Sequence, residues 1–319
     1  MPIPGLAGVP VLVTGGAGFI GSHLVDALVE RGAKVRVLDN FSTGRRENLR
    51  HGIGRIDLVE NDIRDLDACR KACHGVELVF HEAALGSVPR SMKDPATTMA
   101  INVTGTANVF TAARDAGARR IVYASSSSVY GDSEALPKRE GQEGRPLSPY
   151  ALSKVMDEQL ATVFVSCYGL DIVGLRYFNV FGPRQDPSGP YAAVIPKWLT
   201  AVASGQAPVI FGDGEQSRDF TYVTDAVRAN LLAAGAPATV SGRVFNIAGG
   251  ARTTLLSLAQ LLGEVTGRRC TPVHQPLRKG DIPHSFADLT LASRHLEYVP
   301  GCSLANGLKE CLSPYLSES

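Results

Sequence analysis

A chain of 319 residues with 44% hydrophobic and 20% charged residues has ample material for a buried core. That length suits two domains, or one doubly wound domain with a smaller companion. Thirty-two Lys and Arg against thirty-one Asp and Glu leave a net charge of +1. No global field therefore points to nucleic acid or a membrane surface, and an anionic ligand has to be met by a few placed cations. No apolar run reaches the length of a membrane span. Residues 1–16 lack the charged start and long apolar stretch of a secretion signal. Six scattered cysteines with no CxxC pair predict reduced thiols, a cytoplasmic location and no metal site.

In chain order, residues 9–14 form an apolar run of strand length, followed by Gly15-Gly16-Ala17-Gly18-Phe19-Ile20-Gly21 and a helical pattern over 22–31 that stops at Gly32. Strands are expected at 34–38, ending on Asp39, at 55–60, ending before Asn61-Asp62, and at 77–80, running into His81-Glu82-Ala83-Ala84. A long helix is expected over about 96–116 and a strand at 120–124 that enters Ser125-Ser126-Ser127-Ser128. A helix follows at about 150–167, then a strand at 170–176 before Tyr177-Phe178-Asn179. Strands alternating with helices predict a parallel, doubly wound α/β sheet. Ligands of such sheets lie beyond the carboxyl ends of the strands, which gathers most of the distinctive residues into one cleft. From Gly182 the texture turns to Gly, Pro and short elements, while residues 244–248 read as one more sheet strand. The expected division is 1–180 as a nucleotide-binding Rossmann domain, to which about 222–248 returns, and 181–319 as a smaller, interleaved substrate-binding domain.

Gly15, Gly18 and Gly21 form G-x-x-G-x-x-G between a strand and a helix. Glycine there permits a tight turn and close backbone approach to a pyrophosphate, which the helix N-terminus then faces. With Asp39 ending the second strand to accept from ribose hydroxyls, the unit predicts a dinucleotide, with NAD favoured over NADP. Arg45 and Arg46 are the nearby cations a 2′-phosphate would need. Asp62 and Ile63 stand where an adenine contact is expected. Further along, Tyr150 and Lys154 share a helix face at i and i+4. The lysine cation favours the phenolate, so that the phenol serves as a general base. His81 and Trp198 read as structural and packing residues.

The glycine turn, Tyr150-x-x-x-Lys154 and the serine run resemble an extended short-chain dehydrogenase/reductase, and more narrowly the nucleotide-sugar 4-epimerases. The likeness is carried also by 123–131 (YASSSSVYG), 175–182 (LRYFNVFG), 212–220 (GDGEQSRDF) and 278–281 (RKGD), and runs to about residue 300. It implies that Tyr150 takes the proton from a sugar 4-hydroxyl while C4 yields hydride to a retained NAD, and that the 4-keto sugar turns and is reduced on its other face. Ser126, four residues before Tyr130, matches the family serine that bonds the same oxygen, assisted by Ser127. Lys154 would also hold the nicotinamide ribose. Further cofactor contacts are implied at Phe19, Ile20, Asn40, Ala83, Ala84 and Tyr177. Asn179, Arg218 and Arg278 match diphosphate contacts, Asp281 a uridine ribose contact, and Ala193 and Val194 the backbone that meets uracil. A homodimer through the helices at about 96–116 and 150–167 is implied as well.

Family dehydratases carry an Asp-Glu pair after the Ser or Thr, and the xylose-forming decarboxylases a Glu; this chain has Ser127-Ser128, which favours epimerisation. Ser285 stands where a bulky residue often closes the N-acetyl side, and Gly86-Ser87 where glucose-type enzymes often put Lys and a small residue. Gln185 and Ala193 would line the same wall. The expectation is a UDP-GlcNAc/UDP-GalNAc 4-epimerase. UDP-glucose/UDP-galactose and UDP-uronic acid 4-epimerases, the latter with Arg184 to meet a carboxylate, remain open, as does a non-catalytic dinucleotide-binding regulator.

Overall fold

The computed structural model describes residues 5–187, 193–277 and 283–312. Val11, Leu12 and Val13 are fully buried, apolar on both faces, as the central strand of a covered parallel sheet must be. That strand, Pro10–Thr14, lies in a seven-stranded parallel sheet. On one side come Lys34–Asp39 and then Ile56–Glu60; on the other come Leu78–His81, Arg120–Ser126, Ile172–Tyr177 and finally Val244–Ile247. The chain thus builds outward from the first strand in one direction, returns, and builds in the other. Between the first and fourth strands the connections part, and a cleft opens at the carboxyl ends.

The helices Phe19–Glu30 and Val223–Gly235 cover one face, joined to the sheet by a core that includes Leu24, Leu28, Leu231 and Phe245. Leu66–Cys73, Gly105–Asp115 and Pro149–Tyr168 cover the other, around Phe110, Tyr123 and Phe164. Pro149–Tyr168 has clear local causes: Ser148 caps its start by accepting from Ala151 N, Pro149 occupies the first turn, and Gly169 ends it at φ 68°. Tyr150 is thereby fixed in the first turn, at the mouth of the cleft.

The helix expected over 96–116 is divided into Pro95–Met99, a π-helical turn Ala100–Thr104, and Gly105–Asp115. The turn carries Asn102, which bonds Leu85 through both N and O and donates to Ser153 Oγ at 2.9 Å. It clamps the loop after the fourth strand to the Pro149–Tyr168 helix, and π-turns are common at such working positions. A short helix, Val88–Lys93, capped by Ser87, was not read from the sequence.

The second lobe uses only short strand pairs: Val180–Phe181 with Thr221–Tyr222, Ser217–Asp219 with Arg252–Thr254, and Val209–Phe211 with Val273–Gln275. Its own core gathers Phe181, Ile195, Trp198, Tyr222, Leu258 and Leu308, with Trp198 only 4% exposed, a packing residue as expected. Between these pieces the chain goes back to the sheet for Val223–Gly235 and Val244–Ile247.

Candidate active site

The cleft at the sheet's carboxyl edge begins with the glycine turn. Gly15 has φ 68°, and a Cβ on it would lie 2.7 Å from the backbone of Ala83. A side chain on Gly18 or Gly21 would press on the Gly15 carbonyl. The turn is therefore a backbone cradle that any larger residue would fill. Gly18 starts the Phe19–Glu30 helix with no side-chain cap, which leaves the amides of its first turn to an anion. Asp39 accepts from Ala17 N at 2.9 Å and Phe41 N at 2.8 Å, so it fixes the turn as well as ending the second strand. Burial raises its carboxyl above the ordinary value, against the pull of those two amides. Asn40 Nδ2 donates to Asp62 at 2.7 Å, and the Arg64 side chain first of all holds the Asp62 carboxyl down to about 2. Arg46 is paired with Glu60, and Arg45 with Asp186 at 3.2 Å. Both cations that a 2′-phosphate would need are thus already engaged.

Every residue expected to touch the dinucleotide lines this one cleft, of about 530 Å³: Gly15, Gly18, Phe19, Ile20, Gly21, Asp39, Asn40, Asp62, Ile63, Ala83, Ala84, Tyr150, Lys154 and Tyr177. Ser126, Ser127, Gly86, Asn179 and Gln185 line it too. Ser126 Oγ accepts from Ser128 N at 3.1 Å, which shapes the turn after the fifth strand. A smaller pocket adjoins it through Asn179 and Val180 and is lined by Ala193, Val194 and Arg218. Asn179 sits at φ 38° and donates to Asp219 O at 2.9 Å; Arg218 donates to Ser217 O and Pro283 O. Ser87 is turned to its capping role, accepting from Arg90 N at 3.3 Å. Ser285 pairs its amide with Ser217 O at 3.0 Å on the second lobe, beside the cleft and not among its lining residues. Arg278 and Asp281 lie outside the described residues.

Lys154 is 3% exposed and donates to Ala124 O at 2.9 Å and to Asp157 Oδ2 at 3.1 Å. Burial alone would lower its ammonium, but Asp157 first, then Tyr150 and Glu82, outweigh it and hold the group above its ordinary value. Burial pushes the Asp157 carboxyl up to about 6, against the pull of the opposing lysine. His81 is structural, as expected. Its ring bridges Thr14 Oγ1 at 2.7 Å and Thr106 Oγ1 at 2.9 Å, and burial drives its pKa down to about 3, leaving it neutral.

Several working groups escaped the sequence reading. Glu82 at the cleft floor accepts from Tyr177 Oη at 2.8 Å, and Asn230 Nδ2 donates to the same phenol oxygen at 2.7 Å. Burial raises the Glu82 carboxyl to about 7, against Tyr177 and Lys154. Glu82, which follows the fourth strand, is a carboxylate that lines the same cleft as the serine turn, and its hydrogen bond is to Tyr177, not to a serine. Ser125 Oγ is turned away from the cleft's chemistry, donating to Glu158 at 2.5 Å, and Glu158 in turn pairs with Arg176. Asp157 was signalled by spacing, since 150, 154 and 157 fall on one helix face.

Comparison with known proteins fixes the class of this machinery. Residues 11–248 match the "NAD dependent epimerase/dehydratase family", three quarters of the chain, and the chain belongs to that family. It is an enzyme of the extended short-chain dehydrogenase/reductase type, with NAD as its cofactor. It is 39% identical to the UDP-glucose 4-epimerase of Mycolicibacterium smegmatis over 97% of this chain and 99% of that one. It superposes at a TM-score of 0.92, with 39% identity, on a UDP-N-acetylglucosamine 4-epimerase from Methanobrevibacter ruminantium in complex with UDP-N-acetylmuramic acid, covering 98% of this chain and all of that one. The UDP-glucuronic acid 4-epimerase of Bacillus cereus matches at 0.89 with 30% identity, covering 98% and 100%. No helix among the described residues is long and apolar enough to cross a membrane.

Proposed function

We propose that this enzyme reversibly inverts C4 of a UDP-sugar, with UDP-GlcNAc and UDP-GalNAc as its preferred pair and UDP-glucose and UDP-galactose as a slower one. Bound NAD supplies the acceptor for the C4 hydride and returns it. The chain's own residues do the rest. Gly15, Gly18 and Gly21 admit the pyrophosphate to the helix N-terminus. Lys154 holds the cofactor ribose and favours the Tyr150 phenolate. Tyr150 removes the proton from the sugar 4-hydroxyl and gives it back after the sugar has turned, with Ser126 and Ser127 bonding the same oxygen. Asn179, Arg218, Arg278 and Asp281 hold the nucleotide end, and Ala193 and Val194 the uracil, so the sugar end is free to turn.

The observation that carries the choice of sugar is open space beside Gly86 with, among the described residues, no cation to spare for a carboxylate. A Cβ built on Gly86 meets nothing within 4 Å. Of the described residues lining the cleft, Lys154 is the one cation, and it is already set between Asp157 and Ala124 O. A sugar carboxylate would stand there without a counter-charge, at a cost of several kcal/mol if desolvated. Arg184, the cation a uronic acid would call on, is bound to Asp26 at 2.6 Å. Ser285, where the family resemblance puts a bulky residue, is small, which supports the N-acetylated pair although its side chain is not among those lining the cleft. The UDP-glucose reading is kept second because a 39%-identical relative carries that name. The homodimer expected through 96–116 and 150–167 accords with Leu152, Val163 and Tyr168 standing exposed on one of those helices. The test is to incubate the protein, without added cofactor, with UDP-GlcNAc and separately with UDP-glucose, and to resolve the products. UDP-GalNAc formed faster than UDP-galactose is expected. Conversion of UDP-glucose alone would discard the acetyl-pocket argument, and no product from either would discard the reaction.

A further inference from the structure

Lys154 is an ammonium in a place that burial makes hostile to charge, and only one of its neighbours is a carboxylate in direct contact. We propose that Asp157 is a positioning residue of the catalytic pair, aiming the Lys154 ammonium at the cleft and keeping it charged. The inference rests on the reading of Tyr150 and Lys154 as that pair. Asp157 is 1% exposed and lies one turn beyond Lys154 on the Pro149–Tyr168 helix, with Oδ2 3.1 Å from Nζ. Ala124 O takes a second N–H at 2.9 Å from the fifth strand. An ammonium has three donors; with two directed into the protein, the third is left for the cleft, which Lys154 and Tyr150 both line.

The other groups around the ammonium cannot take over this task. Glu82, from the end of the fourth strand, acts on Lys154 only through its field and is itself held by Tyr177. Burial holds its carboxyl up at about 7, and it makes no hydrogen bond to the ammonium. His81, on the same strand, is neutral. Tyr150 is the proton acceptor whose charge changes during the reaction. Glu158, next to Asp157, is turned to Arg176 and Ser125. Asp157 is thus the one carboxylate of the described residues bonded to the ammonium, and it is ionised at the alkaline pH where the lysine would lose its proton. Without its charge the ammonium keeps its burial and loses its largest support, so it gives up its proton at a lower pH.

The experiment is the pH dependence of kcat and KM for the NAD-loaded wild-type enzyme, D157N and D157E, with Y150F as a control. Asparagine keeps the shape and the acceptor and removes the charge. D157N is expected to lose about tenfold in kcat at pH 8, with KM changed by less than about twofold. It is also expected to gain an alkaline limb below about pH 9 that the wild-type enzyme lacks. D157E is expected to restore the flat alkaline side. A D157N profile parallel to wild type, or a D157E enzyme no better than D157N, would overturn the inference. An alkaline limb below about pH 9 in the wild-type enzyme would do the same, and that measurement needs no variant to fold. An inactive Y150F beside a parallel D157N profile would sink only the role of Asp157; a fully active Y150F would sink the catalytic pair itself.

Discussion

In the half of the molecule built on the seven-stranded sheet, most of the expected cofactor contacts lie at strand ends or in the turns that follow them, Tyr150 and Lys154 come from the Pro149–Tyr168 helix, and all of them meet in one cleft. In the second lobe, built on two-residue and three-residue strand pairs, the expected contacts are scattered. Arg218 and Asn179 line a side pocket while bonding the lobe's own backbone, and Ser285 is held by Ser217 beside the cleft. The difference is physical. A parallel sheet projects its strand ends to one edge whatever the loops do. A lobe of short strands positions side chains through particular loop bonds that no periodicity announces. Under the proposed function, one half offers rigid positioning for chemistry, and the other offers recognition that can be altered residue by residue.

The sharpest way to break this comparison is to remove the base from the rigid half. Tyr150→Phe is expected to lower kcat by about 10²–10⁴-fold while NAD stays bound and the melting temperature is unchanged, as product chromatography, cofactor absorbance and calorimetry would show. Undiminished turnover would mean that the chemistry lies elsewhere. Next in size is the core of the second lobe. Trp198→Ala deletes the largest side chain of that core and is expected to cost about 3–5 kcal/mol in denaturant unfolding, yet to leave cofactor binding to the other half measurable at 25 °C. Loss of NAD in parallel with the lobe would show that the two halves do not hold their ligands independently.

Recognition should respond more gently. Ser285→Tyr is expected to lower kcat/KM for UDP-GlcNAc on the order of 10–100-fold and to leave UDP-glucose within about twofold. Equal effects on both sugars would place Ser285 away from the acetyl group. This test bears on the part of the site that the sequence made legible only by resemblance. The glycine turn, Asp39 and the Tyr150/Lys154 face follow from spacing and from the strand-end rule. Glu82 stood in view at a strand end, but its side chain is working because Tyr177 and Asn230, 95 and 148 positions away along the chain, converge on it. Asn102 was hidden inside what read as one uninterrupted helix, since a π-turn leaves no mark on hydrophobic spacing. Pairings across sheet neighbours need the fold before they can be seen.

The smallest expected effect concerns Glu82, and its sign is fixed by burial. The carboxyl is lifted from the ordinary 4.5 to about 7 by burial, against the hydrogen bond from Tyr177 and the field of Lys154. The folded chain therefore holds this proton more tightly than the unfolded chain does. Its contribution to stability is complete below about pH 4.5 and is lost as pH rises through about 7, a change of order 1–3 kcal/mol. Glu82→Gln keeps an acceptor for Tyr177 and removes the titration. The variant should therefore lose less stability than wild type between pH 5 and pH 8, with other groups common to both proteins cancelling in the comparison. Denaturant midpoints at the two pH values are the measurement. Equal losses would mean that Glu82 is ionised throughout and stabilised by Lys154. The cleft floor would then carry a permanent negative charge beneath the catalytic pair, in place of a proton that comes and goes near neutrality.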